Sequence, residues 1–192
     1  MDTASGNRAT ILATALGLFS DRGYEAVGVA ELCSESGITK PTLYYYFGSK
    51  RGLLDAIVAE RGAALRERVR EASAYNRDVR LGIERIAFAF VRSAREDAAF
   101  ARLRLALAFA PPSSEGWNAA APMNAELFER VEVFFRAAAA DHGNMRGRSR
   151  PYAASFIGTI DTYIGYHLAG HVDLTEEIVR GALRQFMYGI FS

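Results

Sequence analysis

Apolar residues recur three and four positions apart through nearly the whole chain, the period of helices with one buried face. The first stripe, Ile11, Leu12, Ala15, Leu18 and Phe19, ends in the Asp21-Arg22 turn and Gly23. A short second helix carries Val29, Leu32 and Cys33 inward until Gly37 breaks it. Thr39 is suited to cap a third helix that closes at Phe47-Gly48. Ser49 caps a long fourth one, whose Leu53, Leu54 and Ile57 give way to the charged run RERVREA at 66–72. Five more helices are predicted over about 78–95, 97–110, 119–140, 150–170 and 174–190, the last with a capping-box-like start at Asp173 and Glu176. Breaks fall at PPSSEGW (111–117) and DHGNMRGRSRP (141–151). No alternating run calls for a sheet, so the expected fold is all-α with about nine helices. Its expected division is a domain at 1–52, with residues 1–6 as a loose tail, and a larger helical domain at 53–192.

Composition narrows the classes. Half of the residues are apolar and the net charge is +1, which excludes a disordered tail and a strongly basic chromatin-type binder. Any nucleic-acid site must therefore be a local feature. A single cysteine, Cys33, excludes a disulfide or Cys-based zinc site within one chain and fits a reducing cytoplasm; its place in an apolar pattern predicts a core residue. The apolar run at 11–19 lacks the flanks of a signal peptide. In the stretch 152–170, Asp161 and His167 make a membrane span costly, so a buried helix and no membrane partner are expected.

The most informative stretch is TKPTLYYYFGSK at 39–50, which holds the only two lysines of the chain. At 100° per residue, Leu43, Tyr46 and Phe47 fall on the inner side of a helix and Pro41 and Tyr45 on the outer, flanked by Thr42 and Tyr44. Two helices joined by a glycine-containing turn, the second polar in its first turn, form a helix-turn-helix pattern whose second helix enters the major groove N-terminus first. Lys40 and Lys50 can meet phosphates, and the hydroxyls of Tyr44 and Tyr45 can donate to them. Thr39 and Thr42 are short enough to read base edges, and the Pro41 ring can touch a thymine methyl. Spacing alone leaves an ordinary exposed helix face as an equal alternative.

Several motifs at fixed spacing break that tie. The IL..A..LF pattern at 11–19, Gly23-Tyr24, Gly37-Ile38-Thr39-Lys40, TLYYYF at 42–47, and Ser49-Lys50 followed by Leu53-Leu54 resemble the DNA-binding region of the tetracycline-repressor (TetR) family of bacterial transcriptional regulators. The resemblance runs from Arg8 to Ile57, about a quarter of the chain. It implies that Thr39, Lys40, Pro41, Thr42, Tyr44 and Tyr45 lie on the recognition helix and that Lys50 contacts phosphate. The chain departs from the family at the start of the second helix, with Val27, Gly28 and Ala30 where a Thr or Ser cap and a polar or basic contact are usual. Residues 1–55 also carry five Lys or Arg against six Asp or Glu, a balance of −1. Binding must then depend on a few placed contacts and on dimerisation.

The resemblance further implies a C-terminal domain that dimerises and holds a small-molecule effector. The small residues Ala154, Gly158, Thr162, Gly165 and Ala169 form one strip; with Ile178, Val179, Ala182, Leu183, Phe186 and Ile190 they are expected to build a two-fold, four-helix interface. Phe88, Phe100, Leu103, Trp117, Met123, Phe128, Phe156 and Tyr163, with Asp161 and His167 as orienting polar groups, are the expected lining of a pocket for an aromatic or lipophilic effector. His167 and His171 have a metal-compatible spacing but no third ligand, so no metal and no cofactor are expected. No nucleophile–base pairing or phosphate-cradling loop suggests an enzyme. The expected function is a ligand-responsive regulator: a cytoplasmic homodimeric repressor on an inverted-repeat, double-stranded DNA operator. The competing expectation is a helical small-molecule-binding protein with weak or lost DNA binding.

Overall fold

Five short polar side chains start five of the helices. Thr39, Ser49, Asp78, Ser114 and Thr175 each accept a hydrogen bond from the backbone N–H three residues on, over 2.8–3.4 Å. Each satisfies a first-turn amide that has no partner within its helix. The computed structural model describes residues 3–189, with side chains from residue 7. Among them are nine α-helices and no strand: α1 (Thr3–Arg22), α2 (Val29–Glu35), α3 (Lys40–Phe47), α4 (Lys50–Ala72), α5 (Val79–Glu96), α6 (Ala98–Ala108), α7 (Glu115–Asp141), α8 (Ser149–Leu168) and α9 (Glu176–Tyr188). A single 3-10 turn, Gly143–Met145, lies between α7 and α8.

Three boundaries differ from expectation. Helix α1 already begins at Thr3, inside the stretch expected as a loose tail. Helix α7 begins at Glu115 rather than near 119, because Ser114 caps it, and it carries Pro122 in its interior. The cap of α9 is Thr175, not Asp173: Leu174 is fully buried and its carbonyl accepts from the Arg95 guanidinium, which holds that segment out of the helix. On α1, Leu16 rather than Leu18 joins Ile11, Leu12, Ala15 and Phe19 in the core.

The described residues pack as two units, one up to Ala63 with Ala99–Pro122, the other Ala64–Ala98 with Met123 onward. The first therefore reaches past residue 52, since Leu53, Leu54 and Ile57 of α4 are buried in its core and α6 belongs to it. Phe19, Tyr24, Leu32, Leu43, Phe100 and Leu103 complete that core.

In the second unit α5, α8 and α9 pack on one another. Phe134, Phe135, Phe156 and Phe186 interlock there, with neighbouring ring centroids 5.3–6.2 Å apart and mostly edge to face. Gly82 of α5 makes room for this cluster: a Cβ at that position would overlap the Phe134 ring. At the end of α4, Arg68 donates to Ser93 over 3.1 Å and pairs with Glu96, tying α4 to α5.

Candidate nucleic-acid interface

The turn between α2 and α3 is closed by the backbone. Ser36 N donates to Leu32 O and Ile38 N to Cys33 O, both over 3.0 Å, while Gly37 takes a φ of 65°, which a side chain would resist. Cys33 is buried beneath it, as its place in the apolar pattern predicts. Thr39 then caps α3, and its hydroxyl lies 2.9 Å from that of Thr42. Leu43 is fully buried, so the rotation of α3 about its own axis is set by one anchored side chain.

That rotation exposes Thr39, Lys40, Pro41, Tyr44 and Tyr45, while Thr42, Tyr46 and Phe47 are half-buried. Tyr45 is 82% exposed. Its edge meets the Tyr46 ring at 5.2 Å, and Tyr46 in turn leans on Phe47, over which Arg8 lies at 5.5 Å. An outer layer of donors and rings thus rests on an inner aromatic layer.

Lys50 sits differently. Its Nζ donates to the carbonyls of Tyr24 and Val27, both over 2.8 Å, and lies 4.1 Å from the centroid of the Tyr24 ring. Two of its three N–H groups are spent inside the protein, leaving one for a phosphate. Tyr24, 3% exposed, donates through its hydroxyl to Glu115 over 2.5 Å; burial first, and then this bond, push its pKa far above the ordinary tyrosine value. Sequence reasoning missed this Lys50–Tyr24–Glu115 chain because Glu115 is 91 residues from Tyr24 and no local spacing links them. At the start of α2, Gly28 provides no side-chain cap, in line with the departure seen at Val27, Gly28 and Ala30.

The ten residues expected to line one effector pocket are divided between the two units. Phe100, Leu103 and Trp117 belong to the first unit, the first two as core. In the second unit Met123 and Phe156 are buried, Asp161 is 9% exposed, and Phe128 lies beneath the Arg150 guanidinium. Phe88 borders a separate groove under Arg180. His167 turns its Nδ1 to the Val172 carbonyl at 3.1 Å, and His171 meets the Tyr166 ring.

Along α8 the strip Ala154, Gly158, Thr162 and Ala169 is exposed and Gly165 half-exposed, next to Tyr166 at 58%. A groove of about 840 Å³ between α8 and α9 is bordered by Gly158, Thr162, Tyr163, Tyr166 and Phe186. Of the α9 residues assigned to the same face, Ile178 is exposed and Phe186 half-buried, but Val179, Ala182 and Leu183 are buried within their own chain. Ile190 lies outside the described residues. Among the described residues no helix is long and apolar enough to cross a membrane.

Residues 11–57, which include all of this interface except Arg8 and Glu115, match the family described as bacterial regulatory proteins, tetR family. The transcriptional activator FasR of Mycolicibacterium smegmatis is 38% identical over 65 residues, 34% of this chain and 30% of that protein. The class D tetracycline repressor of Escherichia coli is 37% identical over 54 residues, 28% of this chain and 25% of the repressor. The matched stretches thus span less than a third of these curated relatives, all of which are transcription regulators. The fold extends further: FadR of Bacillus subtilis, a transcriptional regulator solved in complex with stearoyl-CoA, superposes with a TM-score of 0.77 at 16% identity, covering 95% of this chain and 98% of that one. Over residues 11–57 this chain is thus similar to bacterial regulatory proteins of the tetR family, and as a whole it shares the helical fold of FadR.

Proposed function

We propose that the protein is a homodimeric, ligand-responsive transcriptional repressor that binds an inverted-repeat DNA operator. The observation carrying this reading is the outward row Thr39, Lys40, Pro41, Tyr44 and Tyr45 on a capped helix whose rotation Leu43 fixes. Short hydroxyls near the helix start suit base edges, while the lysine and phenols suit phosphates. The remaining N–H of Lys50 adds a phosphate contact at the start of α4. With a charge balance of −1 over residues 1–55, one such helix offers little nonspecific attraction. Two helices on two half-sites supply what a single head lacks.

The exposed α8 strip and its groove support the dimer: small side chains let a second copy of α8 and α9 approach closely. An effector held in the second unit would favour a dimer geometry that no longer fits both half-sites. The Bacillus subtilis neighbour carries an acyl-CoA, so fatty acyl compounds join aromatic ones as candidate effectors. A second reading, a helical ligand-binding protein with weak DNA affinity, draws on the Lys50 ammonium being held by two backbone carbonyls. Selection from a randomised duplex pool decides between them, because only the first reading yields an enriched palindrome.

A further inference from the structure

We infer that the cavity between the start of α5, the 3-10 turn, and the facing ends of α7, α8 and α9 binds a small monocarboxylate with an apolar body. This takes the effector half of the proposed function a step further, naming the site and the ligand chemistry. The cavity lies wholly within the second unit and measures about 270 Å³. That is less than twice the ~150 Å³ that holds benzene, so a ring or short acyl chain with a small head group fills it. Its back wall is aromatic: Phe135 is 1% exposed, and Tyr152 and Phe186 lie at 5.8 and 6.2 Å from it between ring centroids. Phe156 braces Phe135 and Phe186 from behind, so the wall is preorganised. Met145 and Met187 add side chains that adapt to a ligand's outline.

The polar groups sit at the other end. Arg80 and Asn144 line the same cavity, and both are exposed where the rings are not, which places them at its mouth. Among the described residues no hydrogen bond or ion pair engages the Arg80 guanidinium, and no carboxylate lines the cavity. The acidic residues nearest in sequence are committed elsewhere, Asp78 to the Leu81 amide at 2.8 Å, Glu84 to the Arg180 guanidinium at 3.6 Å and Asp141 to the Tyr75 hydroxyl at 3.1 Å. A fork of N–H donors and a neighbouring amide facing an apolar chamber match a carboxylate on a hydrocarbon.

Calorimetric titration of the full chain with 3-phenylpropionate and octanoate, against 3-phenylpropanamide and octanamide, tests the assignment. The carboxylates should bind, and the amides about tenfold or more weakly for want of the charge-assisted pair. Arg80→Gln should bring carboxylate affinity down to the amide level and leave the amides unchanged. Met145→Trp should abolish binding of all four at an unchanged melting temperature. No heat with any of the four, or carboxylate affinity indifferent to Arg80→Gln, overturns the site. Carboxylate binding of the expected pattern without any effect on a selected operator supports the site and removes the effector role instead.

Discussion

At Lys50 one ammonium holds two carbonyls and covers a ring, so a residue expected to grip phosphate also braces the turn between α1 and α2. Lys50→Met should therefore lower stability by about 1–3 kcal/mol in urea unfolding, because two carbonyls lose a charged donor. Tyr45→Ala, at a position 82% exposed, should leave stability within about 0.5 kcal/mol while weakening operator binding. The tyrosine is neutral, so its loss should not change the salt dependence of binding, whereas Lys40→Ala should reduce the slope by about 1. A measured slope equal to wild type for Lys40→Ala would remove that lysine from the phosphate contacts. Tyr24 adds a pH signature. Burial and its bond to Glu115 raise the folded-state pKa above the ordinary value of about 10. The stability it contributes is complete below that pH and is lost as pH climbs toward the raised value. Tyr24→Phe should accordingly flatten part of the alkaline loss in a series of melting curves.

Among the elements, legibility followed locality. The third helix could be read almost to the residue because its cap, its proline and its closing glycine are all local signals. The start of α7 could not: Pro111, Pro112 and Gly116 suggest loop, yet Gly116 is buried where a Cβ would press on Leu107, and Ser114 caps the helix. Pro122 is likewise carried inside α7, where propensity alone predicts a break. The start of α9 moved to Thr175 because burial of Leu174 outweighs the local capping pattern at Asp173. Gly82 tests how far packing rules in the second unit. Alanine is favoured by about 1 kcal/mol in an exposed helix, but here its Cβ would overlap Phe134. Gly82→Ala should thus cost about 1–3 kcal/mol as overpacking, read by chemical denaturation. A stabilised variant would show that the aromatic cluster yields easily.

Across the whole molecule, the two ends of the chain differ in how much they disclose. Helix α3 presents a surface of few residues at fixed spacing, and its outward row follows from one anchored position, Leu43. The density of aromatics after residue 87 suggests a pocket, but of the residues expected to line it Phe100, Leu103 and Trp117 belong to one unit and Phe156 to the other. Aromatic content does not distinguish core from cavity; only the packing does, and it turned Phe135, Tyr152 and Phe186 toward a chamber that no spacing announced. The proposed dimer is the remaining requirement, since a head with a balance of −1 needs a partner to hold DNA. The most direct measurement is selection of the full-length protein against a randomised duplex pool, followed by titration of the winning site with wild type and Tyr45→Ala. The account predicts an inverted repeat with half-site centres about one helical turn apart, or a multiple of it, and a clear loss of affinity for the variant. A pool without enrichment, or equal affinity for both proteins, would contradict it.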